Sequence, residues 1–229
     1  MTRDNLIRQI IKRILAIKTS YPIKVAIDGV DAVGKTTFAN ELAKELRRKK
    51  IKVIRASLDC FHNPKKIRYK KGNNSPVGYY YDSFNYKALI NQLLKPLGKN
   101  GSYRYKTKVF NYLTDKKVET KSLKADKNSI LIFDGVFLFR KELIKYWDYK
   151  IFIHADFKET LKRAVKRERD QYYLGNKQQI ISKYKTRYIS GQRIYLQRVK
   201  PRKLADIIID NNSFKIRLSE TNTSSKIVR

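Results

Sequence analysis

Near its start this 229-residue chain carries the stretch Gly29-Val-Asp-Ala-Val-Gly-Lys-Thr36, with two glycines, a lysine and a threonine spaced as G-x-x-x-x-G-K-[ST]. Glycines let the main chain curl closely around a phosphate. The N–H groups of Gly29, Val30, Asp31, Ala32, Val33 and Gly34 then point inward at it. A helix expected to begin near Lys35, with Thr37 in its first turn, adds the positive end of its dipole. Lys35 meets the β- and γ-phosphates, and the Thr36 hydroxyl is placed to ligate Mg²⁺. A chance glycine turn has no reason to sit between a strand and a helix, and this one does. The ligand implied is a nucleoside triphosphate with Mg²⁺, in the first instance ATP.

Switches, motors and kinases all share such a loop. Transfer to a hydroxyl also requires a carboxylate to take the proton, cations around the moving group and a pocket for the acceptor. Asp59 closes the predicted strand 51–59, and Asp134 closes the apolar run that begins at Ile130. Both therefore come to the C-terminal edge of the sheet, where the phosphate loop also lies. Asp59 is the candidate base, and Asp59, Asp134 and Thr36 are the candidate Mg²⁺ ligands. The plainer alternative for each Asp is a turn-forming residue bonded to backbone. Further on, Thr160-Leu-Lys-Arg-Ala-Val-Lys-Arg-Glu-Arg-Asp170 sets Arg163 and Arg167 four residues apart, on one face of a helix. Two guanidiniums so placed suit a lid over a triphosphate, about residues 158–177, with Arg169 of the same run among the nucleotide contacts. Otherwise this is a solvated charged face.

These residues need a scaffold, and the hydrophobic pattern supplies one. Leu6, Ile10, Ile14 and Ile17 recur at helical spacing, so residues 1–20 read as an amphipathic helix packed on the core. Strands are expected over 21–29, 51–59, 129–139, 149–156 and 205–210. Helices are expected over 34–50, 85–97, 157–170 and 178–197. Between 60 and 82 the chain is polar and Tyr-rich, which reads as a long functional loop. Residues 102–120 form a hairpin turning at Thr114-Asp-Lys-Lys117. Strands alternating with helices give an α/β fold of three layers, a mostly parallel sheet with helices on both faces and a helical lid. The P-loop domain spans 21–212, and a polar tail, fraying from Asn211, occupies 213–229.

Composition narrows the function further. Hydrophobic residues make up 41% of the chain, enough for a packed core, while one cysteine, Cys60, and two histidines exclude a disulfide framework and a zinc centre. The charged, helically patterned N-terminus is not a signal peptide, and the longest apolar block, 130–139, is too short to span a membrane and is broken by Asp134. A soluble, cytoplasmic protein is expected. Lys and Arg number 53 against 20 acids, a net charge of +33 that is spread widely, with 47–71 and 182–203 among the basic stretches. That charge opens a second reading, an ATP-regulated protein with a basic nucleic-acid surface, or a kinase of polynucleotide 5′-hydroxyls. No aromatic-interleaved RNA-binding motif accompanies it, so a small hydroxyl acceptor is favoured.

Taken in order, "DGVDAVGKTTFANELA", "SLDCFHNPKKIRYKKG", "SPVGYYYDSFNY", "FDGVFLFRKEL", "RERD" and "RYISGQRIYL" leading to "ADIIIDN" resemble the uridine kinase-like family of P-loop kinases across about residues 23–212. The resemblance implies ATP-dependent phosphorylation of a small hydroxyl, typically a nucleoside 5′-OH, with Mg²⁺. It implies Asp59 as the base, Asp82 on the ribose hydroxyls, and Phe110 and Tyr112 around the acceptor's base. Tyr81, within the cluster Tyr79–Tyr81, and Arg187, Gln192 and Tyr195 in the last matching segment are further acceptor-site candidates. His62 is placed to orient Asp59 or a phosphate. Uridine–cytidine kinases of this family resemble "YDFxxHxR" where this chain has "FNYLTDKK", with Asp115 and Lys117 at the corresponding spacing. That departure bears on the acceptor and leaves the phosphotransfer machinery intact.

Overall fold

Neighbouring residues on a strand point to opposite faces, and along the central strand β1 (Ile23–Gly29) both faces are apolar. Val25 and Ile27 join one hydrophobic cluster, while Ala26 joins the other. The same split recurs in β3 (Ile130–Gly135), where Ile132 faces the first cluster and Leu131 and Phe133 face the second. In β4 (Tyr149–His154), Ile151 and Ile153 face one way and Phe152 the other. Strands buried on both faces belong in a parallel sheet covered by helices, and this is what the computed structural model contains. It describes residues 2–212 and the backbone of 217–219.

With β2 (Val53–Ser57), β5 (Ile207–Asp210) and β6 (Arg217–Ser219), the strand order is β2-β3-β1-β4-β5-β6. The first five are parallel, and β6 runs antiparallel to β5 at the edge. One face is covered by α1 (Arg3–Leu15), which Thr2 caps, and by α2 (Lys35–Arg48). The two helices bury Leu6, Ile10 and Ile14 together with Phe38, Leu42 and Leu46. The other face is aromatic, with Phe61, Phe133, Phe137, Phe152 and Trp147.

The segment 60–82 is more regular than a loop. A 3₁₀ turn (Leu58–Phe61), a short helical turn (Lys65–Arg68) and α3 (Pro76–Asp82) occupy it. The Ser75 hydroxyl caps α3 by accepting from Gly78 N at 3.0 Å, and Pro76 takes the first helical position. The expected hairpin is present as Phe110–Asn111 paired with Lys116–Lys117, and Arg104–Tyr105 pairs with Leu123–Lys124. Past the strands come α4 (Phe157–Val165) and α5 (Glu168–Leu174). An unbroken helix α6 (177–199) follows, widened to π geometry over Tyr184–Ile189. At Gly191 of α6 a Cβ would stand 2.8 Å from the Tyr79 ring and 2.9 Å from Pro76 O, so only glycine lets α3 and α6 come this close.

The chain does not fray at Asn211. That residue is buried, and its amide donates to Val33 O at 2.8 Å, tying the end of β5 to the phosphate loop. Apart from β6, the polar tail 213–229 lies outside the described residues. No helix among the described residues is long and apolar enough to cross a membrane.

Candidate active site

The phosphate loop leaves the C-terminal end of β1, between β3 and β4, where an open α/β sheet binds its ligands. A Cβ on Gly29 would meet Ile153 O at 2.4 Å, and Gly29 takes φ +153°. Position 29 is therefore closed to any other residue. Lys35 is buried, and its ammonium donates to Val30 O at 2.7 Å, within the loop it serves. Burial depresses its pKa, opposed by the carboxylates of Asp31, Asp134, Asp28 and Asp59 around it.

The Thr36 hydroxyl donates to Asp134 Oδ2 at 2.6 Å, and Arg55 Nη2 pairs with Asp134 Oδ1 at 2.6 Å. Asp134 is only 2% exposed, and these two groups account for both its oxygens. Asp59 does not end the strand. It lies two residues beyond β2 in the 3₁₀ turn, where Ser57 Oγ accepts from its N–H, and its Oδ2 pairs with Arg169 Nη1 at 3.2 Å. His62 Nδ1 lies 3.0 Å from Asp59 O, so the imidazole braces the backbone of the turn rather than the carboxylate.

Two cavities meet at Asp59. The first, of about 490 Å³, is lined by the loop from Asp31 to Thr37, by Asp59 and Asp134, and by Arg163, Arg167 and Arg169. The expected single helix carrying Arg163 and Arg167 is broken: α4 ends at Val165, and Arg167 has extended backbone as the cap of α5. Both guanidiniums nevertheless line the same cavity from consecutive helices. Arg163 Nη2 also donates to Asn211 O at 2.6 Å.

The second cavity, of about 230 Å³, shares Asp31, Asp59, Val136 and Arg169 with the first. Its walls are aromatic: Tyr69, Tyr79, Phe84, Tyr112, Tyr184 and Tyr188. His62 sits between Phe84 and Tyr112, at centroid separations of 4.6 and 4.8 Å, and Tyr112 stacks on Tyr173 at 5.6 Å. Burial, and then the neighbouring Asp59 carboxylate, push Tyr112 up to about 12. Asp115 accepts from Lys65 N at 2.9 Å and pairs with Arg68 at 2.9 Å, so at this departure from the family pattern it anchors the cavity wall.

Tyr112 and Asp59 are thus brought together, and several other predicted acceptor residues are placed elsewhere. Among the described residues, Tyr81, Asp82, Phe110, Arg187 and Gln192 line neither cavity. Tyr81 faces outward, accepting from Arg198 at 2.6 Å, and Asp82 pairs with Lys71 at 2.6 Å. Phe110 is buried beneath the hairpin. The Arg187 guanidinium is spent on backbone, donating to Arg68 O and Ser75 O at 2.9 Å each. Gln192 and Tyr195 lie behind the phosphate loop. Tyr195 OH donates to the fully buried Asp28, whose Oδ1 also accepts from Gly29 N at 2.8 Å. Asp28, Arg55, Asp170 and Asn211 were given no site role from the sequence, and Tyr79 entered only as a member of the Tyr79–Tyr81 cluster. Asp28 alone had a nearby signal, an acid inside an apolar strand.

The oxygen donors fit Mg²⁺, which prefers one or two carboxylates together with phosphate and water over a full protein cage. Thr36 Oγ1 and Asp134 provide such a partial set. No group of three or more His, Cys, Asp or Glu side chains that could hold a metal ion occurs among the described residues.

A phosphate loop on the central strand of a parallel sheet, with arginines across the cavity, defines an α/β P-loop protein. The chain belongs to the Phosphoribulokinase / Uridine kinase family, whose sequence profile matches residues 24–215. It is 27% identical over 154 residues to uridine-cytidine kinase B of Dictyostelium discoideum, a match covering 66% of this chain and 60% of that protein's length. A uridine kinase of Ureaplasma urealyticum is 24% identical over 148 residues, covering 64% of this chain and 69% of the relative. Among solved structures, one described as a possible uridine kinase from Bacillus stearothermophilus superposes with a TM-score of 0.72 at 27% identity. That match covers 91% of this chain and 99% of the other.

Proposed function

We propose that the protein transfers the γ-phosphate of ATP to a hydroxyl of a small acceptor, most simply a nucleoside 5′-OH. The observation that carries this reading is the position of Asp59 at the junction of a cavity lined by the phosphate loop and an aromatic-lined one. An acceptor lying against Tyr112 and Tyr184 would present its hydroxyl to Asp59, with the triphosphate on the other side.

In the step envisaged, the acceptor oxygen bonds to the γ-phosphorus as the β–γ bridge breaks, and the hydroxyl proton passes to Asp59. Lys35 turns from Val30 O to the β- and γ-phosphates. Arg169 leaves Asp59 for the transferring group, which frees the base, and Arg163 and Arg167 complete the lid. Mg²⁺, held by Thr36 and Asp134, would neutralise charge on the phosphate oxygens. The names of the two relatives described above, a uridine-cytidine kinase and a uridine kinase, support a nucleoside as acceptor. Asp115 and Lys117, replacing the family's usual side chains, point to a preference of this chain's own.

The test is ADP release from Mg·ATP with uridine, cytidine, purine nucleosides, nicotinamide riboside, pantothenate and a 5′-hydroxyl oligonucleotide. One small acceptor should stimulate turnover. Asp59→Asn should lower that turnover by about 10²–10⁴-fold with ATP binding retained. Wild-type turnover in the variant removes Asp59 from the chemistry, and stimulation by the oligonucleotide alone moves the acceptor to nucleic acid.

A further inference from the structure

Asp31 occupies a loop position whose expected work is to offer its N–H to phosphate, yet the structure commits that group elsewhere. The side-chain amide of Gln192 bridges it, with Oε1 accepting from Asp31 N at 3.4 Å and Nε2 donating to Asp31 Oδ2 at 2.6 Å. Tyr79 OH donates to the same Oδ2 at 2.6 Å. Gln192 and Tyr79 are both buried and come from α6 and α3, the two helices that wall the second cavity. Two buried donors thus hold one oxygen of a carboxylate, while Oδ1 accepts no hydrogen bond among the described residues. Asp31 lines both cavities, as Asp59 does.

A carboxylate beside a triphosphate is electrostatically costly, and nothing about phosphate binding asks for one. Its use must lie on the acceptor side. There, a fixed anionic oxygen with a free lone pair recognises a hydroxyl proton, and the charge makes that hydrogen bond a strong one. We infer that Asp31 binds a second hydroxyl of the acceptor, so that the substrate is a polyol offering one hydroxyl to Asp59 for phosphorylation and another to Asp31 for positioning. This rests on the phosphotransfer reading above and deepens it. A ribose meets the requirement and a monohydroxy acceptor does not. Tyr79 and Gln192 act through Asp31 as positioning residues. The same arrangement turns the Asp31 N–H toward Gln192 Oε1.

The experiment compares wild type, Asp31→Asn, Asp31→Ala and Gln192→Leu, with KM for ATP and for the acceptor measured separately. The acceptor is uridine, or whichever panel compound the wild type phosphorylates, together with its singly deoxygenated analogues. Removing one particular hydroxyl should cost the wild type about 10- to 100-fold in kcat/KM. Asp31→Ala should lose a similar factor on the parent compound and nothing further on that analogue. KM for ATP should stay within twofold throughout. Gln192→Leu keeps the carboxylate and loosens it, so it should raise the acceptor KM in the same direction by less. It also serves if the Asp31 variants do not fold. An unchanged acceptor KM in these variants, or a rise in the KM for ATP instead, overturns the role of Asp31 and leaves the kinase standing. A wild type that phosphorylates nothing in the panel overturns both.

Discussion

Arg55→Met tests whether Asp134 depends on its guanidinium partner. Asp134 is 2% exposed, and its charge is met by Arg55 Nη2 at 2.6 Å and by the Thr36 hydroxyl at 2.6 Å. Methionine keeps much of the arginine's apolar length but leaves the carboxylate with one neutral donor. Breaking a buried pair from one side costs about 3–5 kcal/mol. The Arg55 side chain is 18% exposed, and water reaching that edge brings the expected loss to about 2–4 kcal/mol. In a chain of this size each kcal/mol moves the midpoint by about 2–4 °C, so Tm should fall by about 5–15 °C. Mg·ATP should recover part of the loss by bringing a cation back to Asp134, and it should stabilise the variant more than the wild type. Melting followed by near-ultraviolet circular dichroism, with and without Mg·ATP, measures both effects. The double variant with Asp134→Asn should melt above the single one, since no lone charge is then buried. An Arg55→Met protein that melts within 2 °C of wild type would show that the pair is not what holds Asp134, and the reasoning fails.

Lys35→Met removes the loop's cation, and turnover should drop at least a hundredfold; because the ammonium it replaces is buried, Tm should not fall, and a lowered Tm would mean that Lys35 is chiefly structural. Gly29→Ala drives a methyl into Ile153 O, 2.4 Å away, and should cost more than about 2 kcal/mol in urea unfolding; a neutral result would mean that the loop yields. Burial lifts Asp28 to about 7 despite the hydrogen bonds from Tyr195 and Gly29. The folded chain then holds this proton more tightly than the unfolded one, so the stabilising contribution is full below the ordinary Asp value and is lost as pH rises through 7. Asp28→Asn should accordingly gain on the wild type by about 2 kcal/mol between pH 5.5 and 8, and a difference that stays flat across that range refutes the assignment.

The parts of the site that lie close together in the sequence were legible there. The phosphate loop from Gly29 to Thr36 needs only local spacing, and the alternation of apolar strands and amphipathic helices carried the sheet. Ser75-Pro76 was a readable start for α3, obscured by the glycine and polar residues around it. The break between α4 and α5 had no such mark, since neither glycine nor proline separates Arg163 from Arg167. What stayed hidden is what folding alone brings together. Asp31 finds its partners at Tyr79 and Gln192, and Asp134 finds Arg55 on a neighbouring strand. Arg187 shows the converse: its motif marked it for the acceptor site, while the structure spends it on three carbonyl groups of the 68–75 segment.

The wide turn at Tyr184–Ile189 makes α6 two helices in different phase. A π turn holds one residue more than the α-helix around it, and each residue turns the helix by about 100°. Upstream of the surplus residue, Tyr184 faces the aromatic cavity; downstream, Gln192 and Tyr195 face the phosphate loop. Winding the residues of this turn as regular α-helix, with none deleted, would rotate one half by about 100° relative to the other. Either the tyrosines would leave the cavity or the braces on Asp28 and Asp31 would be lost. The wide turn therefore works as a phase setting: it takes up one surplus residue so that both halves of α6 keep their partners.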